Sequence, residues 1–284
     1  MNHVMNKLVA YLQLMRFHRP IGFLLLLWPT LWALWTADYS QPPLFILFIF
    51  SLGVIVMRSA GCIINDIADR NFDGKVVRTQ ARPLVTGAVT IKEAWILLIM
   101  LCLLAFVLVL FLHPITILLS GVGFLLALCY PLTKRFFPMP QFVLGLAFAW
   151  SIPMVFVELT QHLPLPAWIL FLATVCWTMA YDTQYALADR PDDIELGLRS
   201  SAILFGRYER LWIGIFQLLM VLLLSIVGFL LHKALFFYIL LLAVMGFALY
   251  QQCLISTLDR RQCIRAFTNN HWVGAVVFLA IVLG

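Results

Sequence analysis

The chain has 284 residues, of which 63% are apolar and only 11% are charged. This composition lies far outside that of soluble globular proteins, and the long, non-alternating apolar stretches indicate a polytopic α-helical membrane protein rather than a β-structure. The net charge of +6 therefore does not point to a nucleic-acid partner. We expect it to reflect membrane topology and a site for a phosphorylated substrate.

Apolar windows separated by proline and charged residues predict nine membrane-spanning helices. In chain order they cover residues 20–37, 43–64, 93–112, 114–131, 140–158, 166–186, 209–231, 234–252 and 270–284. The first window follows basic residues, as a signal peptide would, but no small-x-small cleavage site follows it, so we expect it to remain as a span. We interpret residues 1–284 as a single integral-membrane domain.

The basic residues predict the orientation of these spans. If nine spans alternate across the membrane, every Lys and Arg except Lys233 lies on or towards the same face. By the positive-inside rule that face is cytoplasmic. The N-terminus is then expected in the cytoplasm and the C-terminus in the periplasm.

Two groups of polar residues at the ends of the second and sixth predicted spans hold seven of the thirteen carboxylates. Charged side chains at membrane depth cost roughly 2.5–3.5 kcal/mol each on insertion scales, so such groups indicate function. The first group falls within an arc of about 100° on a continuous helix. In the second, Asp182, Asp189 and Asp193 fall within about 40°, provided that the helix continues past Pro191. The groups are Asn65, Asp66, Asp69 and Asp73, and Asp182, Asp189, Asp192 and Asp193.

A shared divalent cation explains these groups better than solvated helix ends do. The solvated alternative suits Asp73 and Asp192, but Asp182 lies within apolar sequence. Facing carboxylates repel each other unless a cation lies between them, and Mg²⁺ takes oxygen ligands that substrate phosphates usually complete. Basic residues on the same face could bind the remaining phosphate oxygens, and Lys134 and Arg135 are the best candidates because their loop is short. For any one basic residue, topology alone remains an equal explanation.

Arg58 lies seven residues before Asn65, two turns deeper on the same face of the helix. A buried arginine in a membrane span needs an anionic partner. That partner could be an acid of the two groups, or the carboxylate or phosphate of a substrate.

The pattern N-D-x-x-D-x-x-x-D from Asn65 to Asp73 resembles the first motif of the UbiA superfamily of intramembrane aromatic prenyltransferases. Asp189-x-x-x-Asp193 resembles the second motif. The resemblance extends over essentially the whole chain, and it implies nine transmembrane helices around a central cavity that opens to the cytoplasm and laterally to lipid. Segments 19–35, 60–74, 82–90, 145–154 and 180–193 resemble the branch that prenylates 4-hydroxybenzoate.

This resemblance implies a Mg²⁺-dependent enzyme of ubiquinone biosynthesis. It would transfer a polyprenyl group from polyprenyl diphosphate to the ring carbon ortho to the hydroxyl of 4-hydroxybenzoate and release diphosphate. It would be a multi-pass protein of the bacterial inner membrane with its active site facing the cytoplasm. Its partners would be the two substrates and membrane lipid, and neither nucleic acid nor an obligate protein partner is expected.

The resemblance also implies roles for individual residues. The residues that would bind Mg²⁺ are Asn65, Asp69, Asp73, Asp189 and Asp193, and the four aspartates among them would be catalytic. Asn65, Lys134 and Arg135 would bind the diphosphate, and Arg58 and Arg16 are candidates for the acceptor carboxylate. Further candidates for the site are Asp66, Asp182, Asp192 and Tyr185.

Three other functions share part of this pattern. A sibling prenyltransferase that acts on naphthoate or homogentisate shares the motifs, and only the closer segment matches argue against it. A transporter is disfavoured because the acids lie at one face of the membrane rather than at its midplane. A CDP-alcohol phosphatidyltransferase also uses Asp and Mg²⁺, but its D-G-x-x-A-R…G-x-x-x-D-x-x-x-D pattern is absent from the sequence.

Overall fold

The computed structural model describes residues 2–37, 41–74 and 79–284, except for the side chains of residues 2–5 and 71–73. Every regular element within these ranges is a helix. The α-helices are α1 (Asn2–Leu14), α2 (Ile21–Ala37), α3 (Leu44–Asp73), α4 (Ile91–Val109), α5 (Pro114–Thr133), α6 (Pro140–Ala149), α7 (Ser151–Thr160), α8 (Leu165–Glu195), α9 (Ser201–Phe205), α10 (Glu209–Leu230), α11 (Leu235–Leu254) and α12 (Arg260–Leu283). Short 3₁₀ turns at Gly206–Tyr208 and Ile255–Thr257 precede α10 and follow α11.

Eight helical segments in the described ranges are long and apolar enough to cross a membrane, whereas nine were predicted. The difference is the predicted first span, which is α2 and has 17 residues. A helix of this length covers about 26 Å, less than the roughly 30 Å of a bilayer's hydrocarbon core. The sequence prediction counted α2 as a span because of its apolar composition, and composition does not determine where a helix ends. The protein is nevertheless a helical membrane protein with several spans.

The helices that carry the two acid groups extend beyond the predicted spans. α3 continues to Asp73 and α8 continues to Glu195. Pro191 lies inside α8 without ending it, so Asp193 keeps its helical phase with Asp189. Both acid groups therefore lie on continuous helices.

The predicted span at 140–158 consists of two short helices, α6 and α7, which meet at Trp150. Pro153 has no N–H to donate to the carbonyl of Ala149, so the ladder of a continuous helix is interrupted there. The indole Nε1 of Trp150 donates a hydrogen bond to the carbonyl of Leu119, at 2.7 Å. This contact ties the break to α5.

α8 is the central helix, and it packs against α6, α7, α10 and α12. Its buried Trp177 lies against Trp32 of α2, with ring centroids 4.9 Å apart. The indole of Trp32 donates to the carbonyl of Gly274 in α12, at 3.0 Å. In contrast, α4 and α5 expose most of their apolar side chains, as lipid-facing helices do. The tightly packed part of the molecule is thus α8 with its neighbouring helices.

Buried amide side chains join four helices on the side of α8 that packs against α10, α11 and α12. The Oε1 atom of Gln251 accepts hydrogen bonds from Gln184 (2.9 Å) and Gln217 (2.7 Å). Its Nε2 donates to Asn269 Oδ1 at 2.9 Å, and Asn270 Nδ2 donates to Gln184 Oε1 at 2.9 Å. Because buried amides need such partners, the network fixes the rotation of α8 against the helices behind it.

Replacing Gln251 by Leu should destabilise the protein. The amides of Gln184 and Gln217 would lose their common acceptor, and an unsatisfied buried polar group costs about 1–3 kcal/mol. The measurement is the thermal unfolding midpoint of the detergent-purified protein, followed by tryptophan fluorescence. Gln252→Leu, at the neighbouring half-buried position, is the comparison: it removes the bonds that Gln252 Nε2 donates to Gln217 Oε1 and to the carbonyl of Arg210, and it should lower the midpoint less. An unchanged midpoint in Gln251→Leu would contradict a stabilising role for the network.

Candidate active site

A cavity of about 1250 Å³ lies among α2 to α8 and α12. Its charged lining comes mainly from α3, α8 and the connections beside them. The remaining walls are mostly apolar, and they include Phe50, Met57, Phe106, Leu112 and Phe124. A pocket with a charged end and a long apolar interior suits a ligand with a polar head and a hydrocarbon tail.

α3 carries the first acid group. Asn65 and Asp66 line the cavity, and Asp69 is half-buried one turn further along. Asp73 is the last residue of the helix, and its side chain lies outside the described part of the structure. Two turns deeper on α3, Arg58 also lines the cavity.

Two arginines hold the buried side chain of Asp66. Arg16 Nη2 donates to both carboxylate oxygens, at 2.7 and 2.9 Å. Arg82 Nη1 lies 3.1 Å from Oδ1. Arg16 belongs to the connection between α1 and α2, and Arg82 to that between α3 and α4, so Asp66 ties both connections to α3. This pairing favours a structural role for Asp66 and Arg16, which the sequence had suggested as candidates for the site.

α8 presents the second acid group. Asp182 and Asp189 line the cavity two turns apart, with Tyr185 between them. Asp193 follows one turn beyond Asp189 and is half-buried. The structure therefore places Asp182, which the sequence left as a further candidate, on the same face as the second motif.

The neighbours of these acids are held by ion pairs with other helices. The carboxylate of Asp192 pairs with Arg260 of α12, and Arg260 Nε also donates to the carbonyl of Ala188 at 2.7 Å. Arg190 Nη1 lies 3.8 Å from Glu209 Oε1 of α10. Asp192 thus attaches α8 to α12, which favours a structural role for it.

Lys134 directly follows α5 and brings the two acid groups together. Its ammonium interacts electrostatically with Asp69 of α3 and with Asp182 and Asp193 of α8. Burial by itself lowers the pKa of Lys134, but Tyr130 and these carboxylates outweigh that effect and raise the pKa above its usual value. The lysine therefore carries its positive charge between the two acid groups.

Hydrogen bonds to the neighbouring connections hold Lys134 in position. The backbone N–H of Arg199 donates to the carbonyl of Lys134 at 3.0 Å. Arg135 is exposed, and its Nη2 donates to the carbonyl of Ala68 in α3 at 3.0 Å. The connection after α5 is thus joined to α3 and to the connection that follows α8.

Arg58 is a cation that the described protein leaves partly unsatisfied. Its buried Nε atom has no hydrogen-bond partner among the described residues, and its Cζ lies 5.8 Å from the ring centroid of Phe148. A Cβ atom on Gly22 would lie only 2.5 Å from Arg58 Nη2, so the guanidinium packs against the backbone of α2. A buried arginine with spare donors in an apolar wall suits an anionic group of a ligand.

The sequence reasoning did not single out three other side chains that line the cavity, Tyr130, Tyr181 and His271. Tyr130 could have been found, since it lies one helical turn before Lys134 and shares its face. His271 lies on α12, which carries no motif, so the sequence offered no signal for it. The partners of the structural acids, Arg82 and Arg260, come from distant parts of the chain and depend on the fold.

Comparison with known proteins places these observations in a family. A model of the UbiA prenyltransferase family matches residues 26–282. The chain is 51% identical over 278 residues to a protein of Escherichia fergusonii named 4-hydroxybenzoate octaprenyltransferase, and the match covers 98% of this chain and 96% of that protein.

Solved structures share the fold. The apo structure of a UbiA homologue from Aeropyrum pernix K1 superposes with a TM-score of 0.80 at 24% identity, over 92% of this chain and 97% of that one. A UbiA homologue from Archaeoglobus fulgidus, bound to GPP and Mg²⁺, superposes with a TM-score of 0.73 at 17% identity, over 97% of this chain and 100% of that one. At these identities the likeness shows the fold alone.

Asp66→Asn should destabilise the protein more than Asp192→Asn does. Removing one partner of a buried ion pair costs roughly 3–5 kcal/mol, because the remaining charge is left uncompensated. The Asp66 side chain is 1% exposed and faces two arginines, whereas Arg260, the partner of Asp192, is 41% exposed. Thermal unfolding of both variants in detergent measures the difference. Equal midpoints for the two variants would contradict the structural role of Asp66.

Proposed function

The chain belongs to the UbiA prenyltransferase family, and we propose that it transfers a polyprenyl group from polyprenyl diphosphate to 4-hydroxybenzoate, at the ring carbon ortho to the hydroxyl, releasing diphosphate. One observation carries this proposal: acids from α3 and α8 interact with Lys134 at the charged end of a mostly apolar cavity. The name and high identity of the relatives support 4-hydroxybenzoate as the acceptor. The step would belong to ubiquinone biosynthesis.

The donor set fits a hard divalent cation, and we take it to be Mg²⁺. The candidates offer only amide and carboxylate oxygens, which Mg²⁺ prefers, and they come from two helices. The described side chains include no group of three or more His, Cys, Asp or Glu residues close enough to hold a metal by themselves. Substrate phosphates would therefore complete the coordination, and bound Mg²⁺ would neutralise charge on the departing diphosphate. The proposed ligands are Asn65, Asp69, Asp73, Asp189 and Asp193.

Basic side chains would bind the diphosphate of the prenyl substrate, and aromatic side chains would stabilise its allylic cation. Lys134 and Arg135 would bind phosphate oxygens that the metal leaves free, Lys134 from within the acid groups and Arg135 from the exposed rim. Aromatic rings stand beside the acids: Tyr185 lies 4.9 Å and Tyr181 6.0 Å from Phe267, between ring centroids. Their faces would stabilise the developing allylic cation, and the apolar walls would exclude water from it.

Arg58 is the better of the two candidates for the acceptor carboxylate. Its Nε atom is unsatisfied within the described residues, whereas Arg16 donates to both oxygens of Asp66. Arg58 lies two turns below Asn65 on α3. It would therefore hold the ring close to the carbon from which the diphosphate departs.

A location in the bacterial inner membrane suits substrates that are part lipid and part polyanion. A polyprenyl chain dissolves in the bilayer while its diphosphate stays at the polar surface, where the acids lie. We propose that this surface faces the cytoplasm, with the N-terminus inside and the C-terminus in the periplasm, because basic residues gather on the side of the acid groups. The whole chain, residues 1–284, would form the single domain that carries the activity.

Asp69→Asn and Asp189→Asn should each reduce turnover roughly a hundredfold or more, because each removes charge that holds the metal and the leaving group. The assay combines purified protein, polyprenyl diphosphate, 4-hydroxybenzoate and Mg²⁺, and it measures prenylated product and released diphosphate. Chelation of Mg²⁺ should stop the wild-type reaction, and its return should restore it.

Asp192→Asn is the matched control, because its carboxylate pairs with Arg260; this variant should keep most of its turnover. No product from the wild type with Mg²⁺ present would reject the proposed function. Full activity in both Asp69→Asn and Asp189→Asn would reject only the metal assignment.

Arg58→Gln should weaken binding of the acceptor. A hydrogen bond to a charged group contributes about 1.5–3 kcal/mol, which corresponds to an increase of about tenfold to a hundredfold in KM for 4-hydroxybenzoate. Methyl 4-hydroxybenzoate, which has no negative charge, is the matched control substrate. Its KM should differ little between wild type and variant. An equal increase in KM for the acid and the ester would show that Arg58 does not bind the acceptor carboxylate.

A further inference from the structure

The cavity wall has two polar layers with the same spacing on both motif helices. Arg58 lies seven residues before Asn65 on α3, and Asp182 lies seven residues before Asp189 on α8. Seven residues are two helical turns, or about 10.5 Å along the axis. All four residues line the cavity, and Arg58 and Asp182 interact electrostatically with each other. Below the layer proposed for Mg²⁺, the described residues thus form a second layer that contains Arg58 and Asp182, and the charge of Lys134 also acts on Asp182.

Asp182 is the cavity carboxylate that no other role explains. Of the carboxylates that line the cavity, Asp66 is held by two arginines and Asp189 belongs to the proposed metal ligands. Within the described part of the chain, Asp182 makes neither a hydrogen bond nor a close ion pair, although the charges of Arg58 and Lys134 act on it. Its oxygens are therefore available to a ligand in the deeper layer.

The proposed reaction needs a base in that layer. A bond forms between C1 of the prenyl group and the ring carbon, while the C1–O bond breaks and its electron pair leaves with the diphosphate. The attacked ring carbon then carries both hydrogen and the prenyl group. Its hydrogen must leave as a proton, and the C–H electron pair returns to the ring.

We propose that Asp182 accepts this ring proton, an inference that rests on the proposed prenyl transfer to 4-hydroxybenzoate. With the acceptor carboxylate on Arg58, the ring lies in the layer that Asp182 shares. The carboxylate of Asp182 becomes a carboxylic acid in this step, and the aromatic ring is restored.

His271 is the rival base. It lines the cavity, and its Nδ1 is bonded to the carbonyl of Thr268 at 2.7 Å, which leaves Nε2 for other contacts. Its ring lies against Trp272, with centroids 4.5 Å apart. Asp182 is favoured because it belongs to the layer of Arg58, with which it interacts.

A kinetic isotope experiment distinguishes a general base from a structural residue. It uses 4-hydroxybenzoate that is deuterated at both ring carbons ortho to the hydroxyl. In the wild type, deuterated and ordinary acceptor should react equally fast, because C–O cleavage precedes loss of the proton and is slower. In Asp182→Asn, kcat should fall roughly 10²–10⁴-fold, the usual contribution of a general base. The deuterated acceptor should then react more slowly than the ordinary one. KM for polyprenyl diphosphate should stay unchanged.

Asp182→Glu keeps a carboxylate but displaces it. It should show an intermediate kcat together with a deuterium effect, and it provides the test if Asp182→Asn does not fold. His271→Gln should show no deuterium effect.

Wild-type kcat in Asp182→Asn would overturn the inference, as would a loss of rate that is equal for both acceptors. A deuterium effect in His271→Gln but not in the Asp182 variants would assign the base to His271 instead. If the wild type forms no product, the proposed function itself fails. An active wild type with Asp182 variants insensitive to deuterium overturns only the role of Asp182.

Discussion

Ion pairs between aspartate and arginine hold the ends of the two motif helices in place. Among the pairs between described residues, Asp66 is bound by Arg16 and Arg82, and Asp192 is bound by Arg260. A buried ion pair adds little net stability, because desolvation offsets most of the attraction, but losing one partner is costly. These pairs therefore determine how the helices are arranged more than they raise the free energy of unfolding. They fix the ends of α3 and α8, which carry the proposed metal ligands, against the helices and connections around them.

α8 shows how a membrane helix can serve both stability and chemistry. One side carries Gln184, whose amide bonds to Gln251 of α11 and Asn270 of α12. The other side carries Asp182 and Asp189, which line the cavity. A functional group keeps its geometry only when the element that bears it is held by other contacts. Satisfied amides suit this purpose in an apolar interior, because an altered rotation would leave them without partners.

The features that could be predicted from the sequence are those with a local signal. Long apolar stretches predicted helices in the right places, and the motif spacing predicted that Asp182 and Asp189 share a face. The number of spans was wrong by one against the eight that the structure describes, because α2 is too short and composition does not encode helix length. The break at Trp150 also escaped prediction. It depends on Pro153 together with a tertiary hydrogen bond to α5.

In the candidate site, too, the residues with a local sequence signal could be predicted and those that depend on tertiary contacts could not. From residue type and spacing the motifs predicted metal-binding roles for Asn65, Asp69 and Asp189, and these roles stay predictions. The motifs could not separate Asp66 from Asp69, since both lie on the same part of α3. That separation depends on Arg16 and Arg82, which approach from elsewhere in the chain. Residues without a motif, such as His271, had no signal at all.

The contact between Gly22 and Arg58 has a consequence for how relatives of this protein diverge. Any side chain at position 22 would meet the guanidinium, since even a Cβ atom would lie 2.5 Å from Nη2. The two positions are far apart in sequence, yet neither can change independently while the arginine keeps its place. The two positions should therefore vary together, because a larger residue at 22 displaces the guanidinium of Arg58 from its place. Correlated substitution at positions 22 and 58 would identify relatives in which this part of the cavity wall has a different structure.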